Sequence, residues 1–152
     1  MNPELCVEIL NLARSMELQA IGQYMQFHYQ LADNNFPKLA HAVKKIAIDE
    51  MRHAEKLAER IRDLNGLPVS APAGAVEADA NWGIVRQLEN DTLADYASYI
   101  NQLREQGDEV SRKLLSDILM EEQEHFNYFN DIVDSLDKYG DFFLAAQSGS
   151  KF

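Results

Sequence analysis

The stretch Val43-Lys44-Lys45-Ile46-Ala47-Ile48-Asp49-Glu50-Met51-Arg52-His53-Ala54-Glu55-Lys56-Leu57 decides how this chain is read. Its apolar residues Val43, Ile46 and Leu57 recur at helical spacing, and the stripe runs on through Ile61 and Leu64. Two members of the stripe, Glu50 and His53, stand where Leu or Ile would be expected. The same substitution recurs elsewhere. Leu115, Ile118, Glu122, His125, Phe129, Val133 and Leu136 form a second such stripe. Leu10, Glu17, Tyr24 and Leu31 form a third, and Val85, Glu89, Thr92, Tyr96, Tyr99 and Leu103 a fourth.

One core glutamate has ordinary explanations, such as an ion pair or a misread helix face, and a lone Glu-x-x-His arises by chance. Four glutamates and two histidines without basic core partners are different, because burying each as a charge costs several kcal/mol. A pair of bound cations removes that cost. Spacing supports the idea independently: Glu17 to Glu50 is 33 residues, as is Glu89 to Glu122. Shifting the first half by 72 lays Glu17, Tyr24, Glu50 and His53 on Glu89, Tyr96, Glu122 and His125, as two equivalent half-sites require.

Working outward, the chain divides into helices predicted over about 3–32, 38–65, 78–106, 108–139 and 141–146, within one domain spanning 1–152. Asn2 and Pro3 give a start signal, and Gly66 and Gly107 suit helix ends. The polar tail 147–152 reads as frayed. Short breaks at 33–37 and around 107 imply two antiparallel hairpins. The segment 67–79 is longer. A 28-residue helix is about 42 Å long, and about 13 extended residues reach ~43–47 Å. The linker can therefore cross the length of a bundle before the third helix begins. With that crossover, all four carboxylates lie at one level: Glu17 and Glu122 are about 14 residues into their helices, Glu50 and Glu89 about 15 and 16 from the ends of theirs. The predicted fold is all-α, a four-helix bundle with a long crossover and a short fifth helix.

Composition narrows the function. With 14 basic and 25 acidic residues the net charge is −11, which repels nucleic acid and anionic membranes and attracts cations. The single cysteine, Cys6, excludes an intrachain disulfide and any cysteine-cluster metal site. A cytoplasmic location is the expectation, with no signal-peptide pattern and no apolar run of membrane-spanning length. One Glu from each of two helices plus Glu-x-x-His from the other two is the ligand pattern of di-iron carboxylate bundles, and such donors suit Fe, Mn or Co. The expected metal ligands are Glu17, Glu50, His53, Glu89, Glu122 and His125, with Glu50 and Glu122 bridging. Tyr24 reads either as an electron or hydrogen-bond donor beside them or as a plain core aromatic.

These residues carry a resemblance. Met16-Glu17-Leu18-Gln19-Ala20-Ile21-Gly22-Gln23-Tyr24, Ile48-Asp49-Glu50-Met51-Arg52-His53-Ala54-Glu55 and Glu121-Glu122-Gln123-Glu124-His125 resemble the motifs of the bacterioferritins, ferritin-like proteins, over nearly the whole chain. The resemblance implies a homo-oligomeric hollow shell of 24 subunits built from two-fold dimers. Such a shell oxidises Fe(II) with O2 or H2O2, stores the ferric mineral, and releases iron with the help of a ferredoxin-type reductant. It also implies haem held between subunits by one methionine from each, at the position of Met51. Some bacterioferritins carry an inner-surface histidine one turn before the aspartate matching Asp49; here that residue is Lys45, so an auxiliary inner iron site is not expected. The competing enzyme reading, a rubrerythrin-like peroxidase without mineral storage, normally needs a four-cysteine domain.

Overall fold

A computed structural model describes residues 1–149. Its helices are α1 (Pro3–Asp33), α2 (Pro37–Asp63), α3 (Trp82–Gln106), α4 (Glu109–Tyr139) and α5 (Asp141–Gln147), with no strand among the described residues. The architecture is the predicted four-helix bundle with a short fifth helix. The α1–α2 and α3–α4 pairs form antiparallel hairpins.

Local chemistry sets the ends. The Asn2 side chain accepts from the Leu5 amide at 3.2 Å and Pro3 occupies the first turn of α1. Asn81 caps α3 through the Ile84 amide at 2.9 Å, and Asp108 caps α4 through the Ser111 amide at 3.1 Å. Gly107 ends α3 in the left-handed region, φ 72°. The end of α2 differs from the sequence expectation: Asn65, φ 63°, makes the left-handed turn. Gly66 is needed for space instead, since a Cβ there would lie 2.6 Å from Val7 Cγ2.

The 67–81 crossover runs along α1 and is fixed by a row of its polar side chains. Asn11 bonds Leu67 O and the Val69 amide, Arg14 bonds Val69 O at 2.8 Å, and the Ala73 amide bonds Ser15 O. Gln23 takes both the amide and the carbonyl of Glu77, at 2.8 and 3.0 Å, and Gln26 and Gln30 hold Ala78 and Ala80. These bonds absorb backbone groups that a helix would otherwise satisfy. This is why α3 begins at Trp82 and not near Ala78. The tail is also held in part: α5 reaches Gln147, and the Gly149 amide donates to Asn35 O at 3.0 Å. The expectation of fraying over 150–152 lies outside the described residues.

The apolar core has two parts. One surrounds Tyr24, Phe27, Val43, Ile46, Trp82, Val85 and Phe129; the other surrounds Leu10, Leu57, Ile61, Tyr96, Leu103, Leu115 and Ile118. Between them lies a buried polar layer.

Candidate metal centre

That layer consists of Glu17, Glu50, His53, Glu89, Glu122 and His125, every one buried. Antiparallel pairing places Glu17 of α1 level with Glu50 of α2, and Glu89 of α3 level with Glu122 of α4. The i, i+3 spacing then puts His53 and His125 on the same inward faces. All six residues singled out by the stripe pattern come together.

They form two overlapping groups. Glu17, Glu50, His53 and Glu122 offer ligand atoms within 4.8 Å of one another, as do Glu50, Glu89, Glu122 and His125. Glu50 and Glu122 belong to both. His53 Nδ1 lies 3.6 Å from Glu17, 3.4 Å from Glu50 and 2.8 Å from Glu122. His125 Nδ1 lies 3.1 Å from Glu50, 3.7 Å from Glu89 and 3.8 Å from Glu122. The rings stand 6.2 Å apart.

Despite these short distances, seven buried ligand atoms have no hydrogen-bond partner: Glu17 Oε2, Glu50 Oε1, His53 Nδ1, Glu89 Oε2, both oxygens of Glu122, and His125 Nδ1. They converge without hydrogen-bond geometry, which in a folded interior is costly unless a cation sits among them. The donor set of carboxylate oxygens and one imidazole per group fits Fe, Mn or Co.

An outer ring completes the symmetry. Tyr96 donates to Glu17 Oε1 at 2.6 Å, and Tyr24 donates to Glu89 Oε1. His53 Nε2 meets Glu121 at 2.7 Å, and His125 Nε2 meets Asp49 at 3.0 Å. Partners on Nε2 fix each ring so that Nδ1 faces inward. Sequence reasoning gave Tyr96, Asp49 and Glu121 no role. The signal was available, because the 72-residue shift also lays Asp49 on Glu121. Asp49 is further paired with Arg52, while Lys45 is exposed on the surface.

The charges strain one another. Burial, then the Glu122 charge, raises Glu17; burial, then neighbouring carboxylates, pushes Glu50 and Glu89 well above the usual range. Glu122 is the exception: burial works against its charge, but the protons shared among the crowded Glu89, His125, His53 and Glu50 favour its ionised form and hold it well below. Burial also opposes protonation of the imidazoles, yet the carboxylates beside them win, raising His53 and pushing His125 up to about 11. Tyr24 and Tyr96 are raised well above 10 by burial and by the adjacent carboxylates, so both phenols keep their protons and donate.

Met51 lies elsewhere, on the outer side of α2, 42 % exposed beside the exposed Ile48.

A helical bundle divided by such a layer defines a ferritin-like domain, and the family model described as the Ferritin-like domain matches residues 7–139. The chain is 40 % identical over 148 residues to a Desulfovibrio desulfuricans bacterioferritin, covering 95 % of this chain and 83 % of the relative. It is 33 % identical over 153 residues to the bacterioferritin BfrA of Mycobacterium tuberculosis, covering 95 % and 94 %. A solved structure of the Desulfovibrio desulfuricans bacterioferritin, which describes its diiron site in different catalytic states, superposes with a TM-score of 0.93 at 39 % identity, covering 97 % of this chain and 89 % of that one. The structure of Mycobacterium tuberculosis BfrA gives 0.91 at 30 %, covering 99 % and 97 %. The chain belongs to the bacterioferritin family. None of the described helices is long and apolar enough to cross a membrane.

Proposed function

We propose that this chain is a ferroxidase subunit of an iron store: it oxidises Fe(II) in the buried polar layer and holds the ferric product in a homo-oligomeric shell. The observation that carries the reading is the pair of ligand groups sharing Glu50 and Glu122, with their inward atoms unpartnered. Membership of the bacterioferritin family supports iron storage.

Iron is the substrate. Glu17 with His53, and Glu89 with His125, hold one ion each, and Glu50 and Glu122 lie between them. Two Fe(II) each give one electron to O2, which with two protons leaves as H2O2; with H2O2 as oxidant and two protons, two waters form. The carboxylates offset the added charge of Fe(III), and His53 and His125 give up their protons when iron binds. Tyr24 holds Glu89 by its phenol hydrogen and is placed to supply a further electron.

Haem is the second proposed ligand. Met51 presents a soft thioether donor on an exposed face that also carries Ile48, and with the Met51 of a second copy it would hold the haem iron. Bound there, haem supplies a one-electron carrier for reducing stored iron, fed by a ferredoxin-type reductant. We also place the protein in the cytoplasm as a 24-subunit shell.

The test is aerobic addition of Fe(II) to metal-stripped protein, with particle size measured on the same sample. Rapid oxidation of two Fe(II) per chain, then slower uptake into a large soluble particle, is expected. Oxidation that stops at two irons in a small particle removes storage and leaves the peroxidase-like alternative. A rate equal to buffer alone removes the ferroxidase.

A further inference from the structure

The two buried tyrosines treat the carboxylates unequally. Tyr96 occupies Glu17 Oε1 and Tyr24 occupies Glu89 Oε1, leaving Glu17 Oε2 and Glu89 Oε2 as the unpartnered oxygens. Glu122, common to both groups, keeps both oxygens unpartnered. The capping therefore follows position: the carboxylate that serves one half-site has one oxygen taken, and the shared Glu122 has none.

Packing alone does not account for this. Tyr96 is wholly buried in an apolar cluster, where phenylalanine would fill the same space without a hydroxyl to satisfy. Its hydroxyl reaches across from α3 to α1, just as Tyr24 reaches from α1 to α3, and the 72-residue shift exchanges the two.

From this arrangement we infer that Tyr96 is a positioning residue equivalent to Tyr24: each phenol takes one oxygen of a terminal carboxylate, so that Glu17 and Glu89 each present a single oxygen and the two half-sites bind metal with matched affinity. The inference rests on the two-metal reading of the polar layer. Tyr96 acts through Glu17, the carboxylate to which its hydroxyl donates.

The experiment is Co(II) titration of metal-stripped protein, followed by visible absorption and by calorimetry. Wild-type protein takes two Co(II) per chain in a single merged step. Tyr96→Phe splits the titration, with one ion bound ~10–100-fold more weakly, the usual cost of losing an outer-shell partner, and with an altered Co(II) spectrum for that ion alone. Tyr24→Phe splits it in the same way from the other half-site. The double variant restores a single, weaker step, which a merely structural loss of packing would not do. Tyr99→Phe is the control: its ring lies 6.1 Å from that of Tyr96, but its hydroxyl meets Met16 Sδ and not a carboxylate, so its titration matches wild type. If Tyr96→Phe does not fold, the Tyr24 variant decides the pairing from its own half-site, and an unsplit titration there overturns it. A folded Tyr96→Phe that titrates like wild type, or that weakens both ions equally, also overturns the inference. Wild-type protein that binds no Co(II) overturns the metal centre itself and this inference with it.

Discussion

Replacing Glu50 by leucine separates a metal site from a structural ion-pair network by the sign of one free-energy change. Glu50 is 1 % exposed and its Oε1 has no hydrogen-bond partner. Burial and then the charges of Glu17, Glu122 and Glu89 hold its pKa well above the ordinary carboxyl value, so it favours the neutral acid. Removing an unsatisfied buried polar group recovers about 1–3 kcal/mol, and leucine fills a similar volume between the two apolar clusters. The metal-free Glu50→Leu protein should therefore be more stable by about 2 kcal/mol, or ~4–8 °C in Tm for a chain of this size. If Glu50 were instead held as a carboxylate by His53 at 3.4 Å and His125 at 3.1 Å, breaking that buried pair would cost about 3–5 kcal/mol. The assay is urea unfolding of the metal-free proteins at one protein concentration, repeated with excess Co(II). Wild type should gain about 2.7 kcal/mol for each of its two sites at a hundredfold excess over Kd, about 5 kcal/mol in all, and the variant should gain nothing. A metal-free variant less stable than wild type would show that Glu50 is held as a paired carboxylate.

Further outcomes follow from the same geometry. His53 and His125 have folded pKa values above the ordinary ~6.5, that of His125 about 11. Their contribution to metal-free stability is thus full below about pH 6.5 and lost as pH rises toward 11; urea midpoints that climb between pH 7 and 10 would contradict this. Metal displaces those protons, so calorimetry in buffers of differing ionisation enthalpy should find at least two protons released per two Co(II), and zero release would exclude imidazole ligation. Gln23→Ala leaves the Glu77 amide and carbonyl without their buried partner and should cost about 1–3 kcal/mol. Amide exchange should then quicken across 74–80, and an unchanged linker would show that Gln23 does not hold it. Haem added to purified protein should give a Soret band that Met51→Leu abolishes; a band unaffected by the substitution rules out thioether ligation at Met51.

How much could be read in advance depended on which residues broke a rule. Glu17, Glu50, His53, Glu89, Glu122 and His125 stood out because each interrupts an apolar stripe of fixed period, and period survives whatever the loops do. Asp49 and Glu121 broke nothing: side chains 20 % and 50 % exposed look like ordinary surface acids until the imidazoles they orient are seen. Tyr96 read as a core aromatic because its hydroxyl finds Glu17 across the bundle, 79 residues away in sequence. The start of α3 was misplaced because Ala78 and Ala80 favour helix in isolation, while Gln26 and Gln30 claim their backbone groups. Those glutamines, with Asn11, Arg14 and Gln23, form the bed of the crossover, a role that no stripe or spacing marks because each meets a crossover backbone group 50 or more residues away. Gly66 was correctly marked as special for the wrong reason, since its requirement comes from Val7 on another helix.

Anomalous diffraction at the iron edge, from crystals of the metal-stripped protein soaked anaerobically in Fe(II), shows whether the polar layer takes up two ions. Two strong peaks per chain are expected inside the bundle, one beside Glu17 and His53 and one beside Glu89 and His125, with Glu50 and Glu122 between them. A single peak, or iron found only on the outer or inner surface with the polar layer empty, would contradict it.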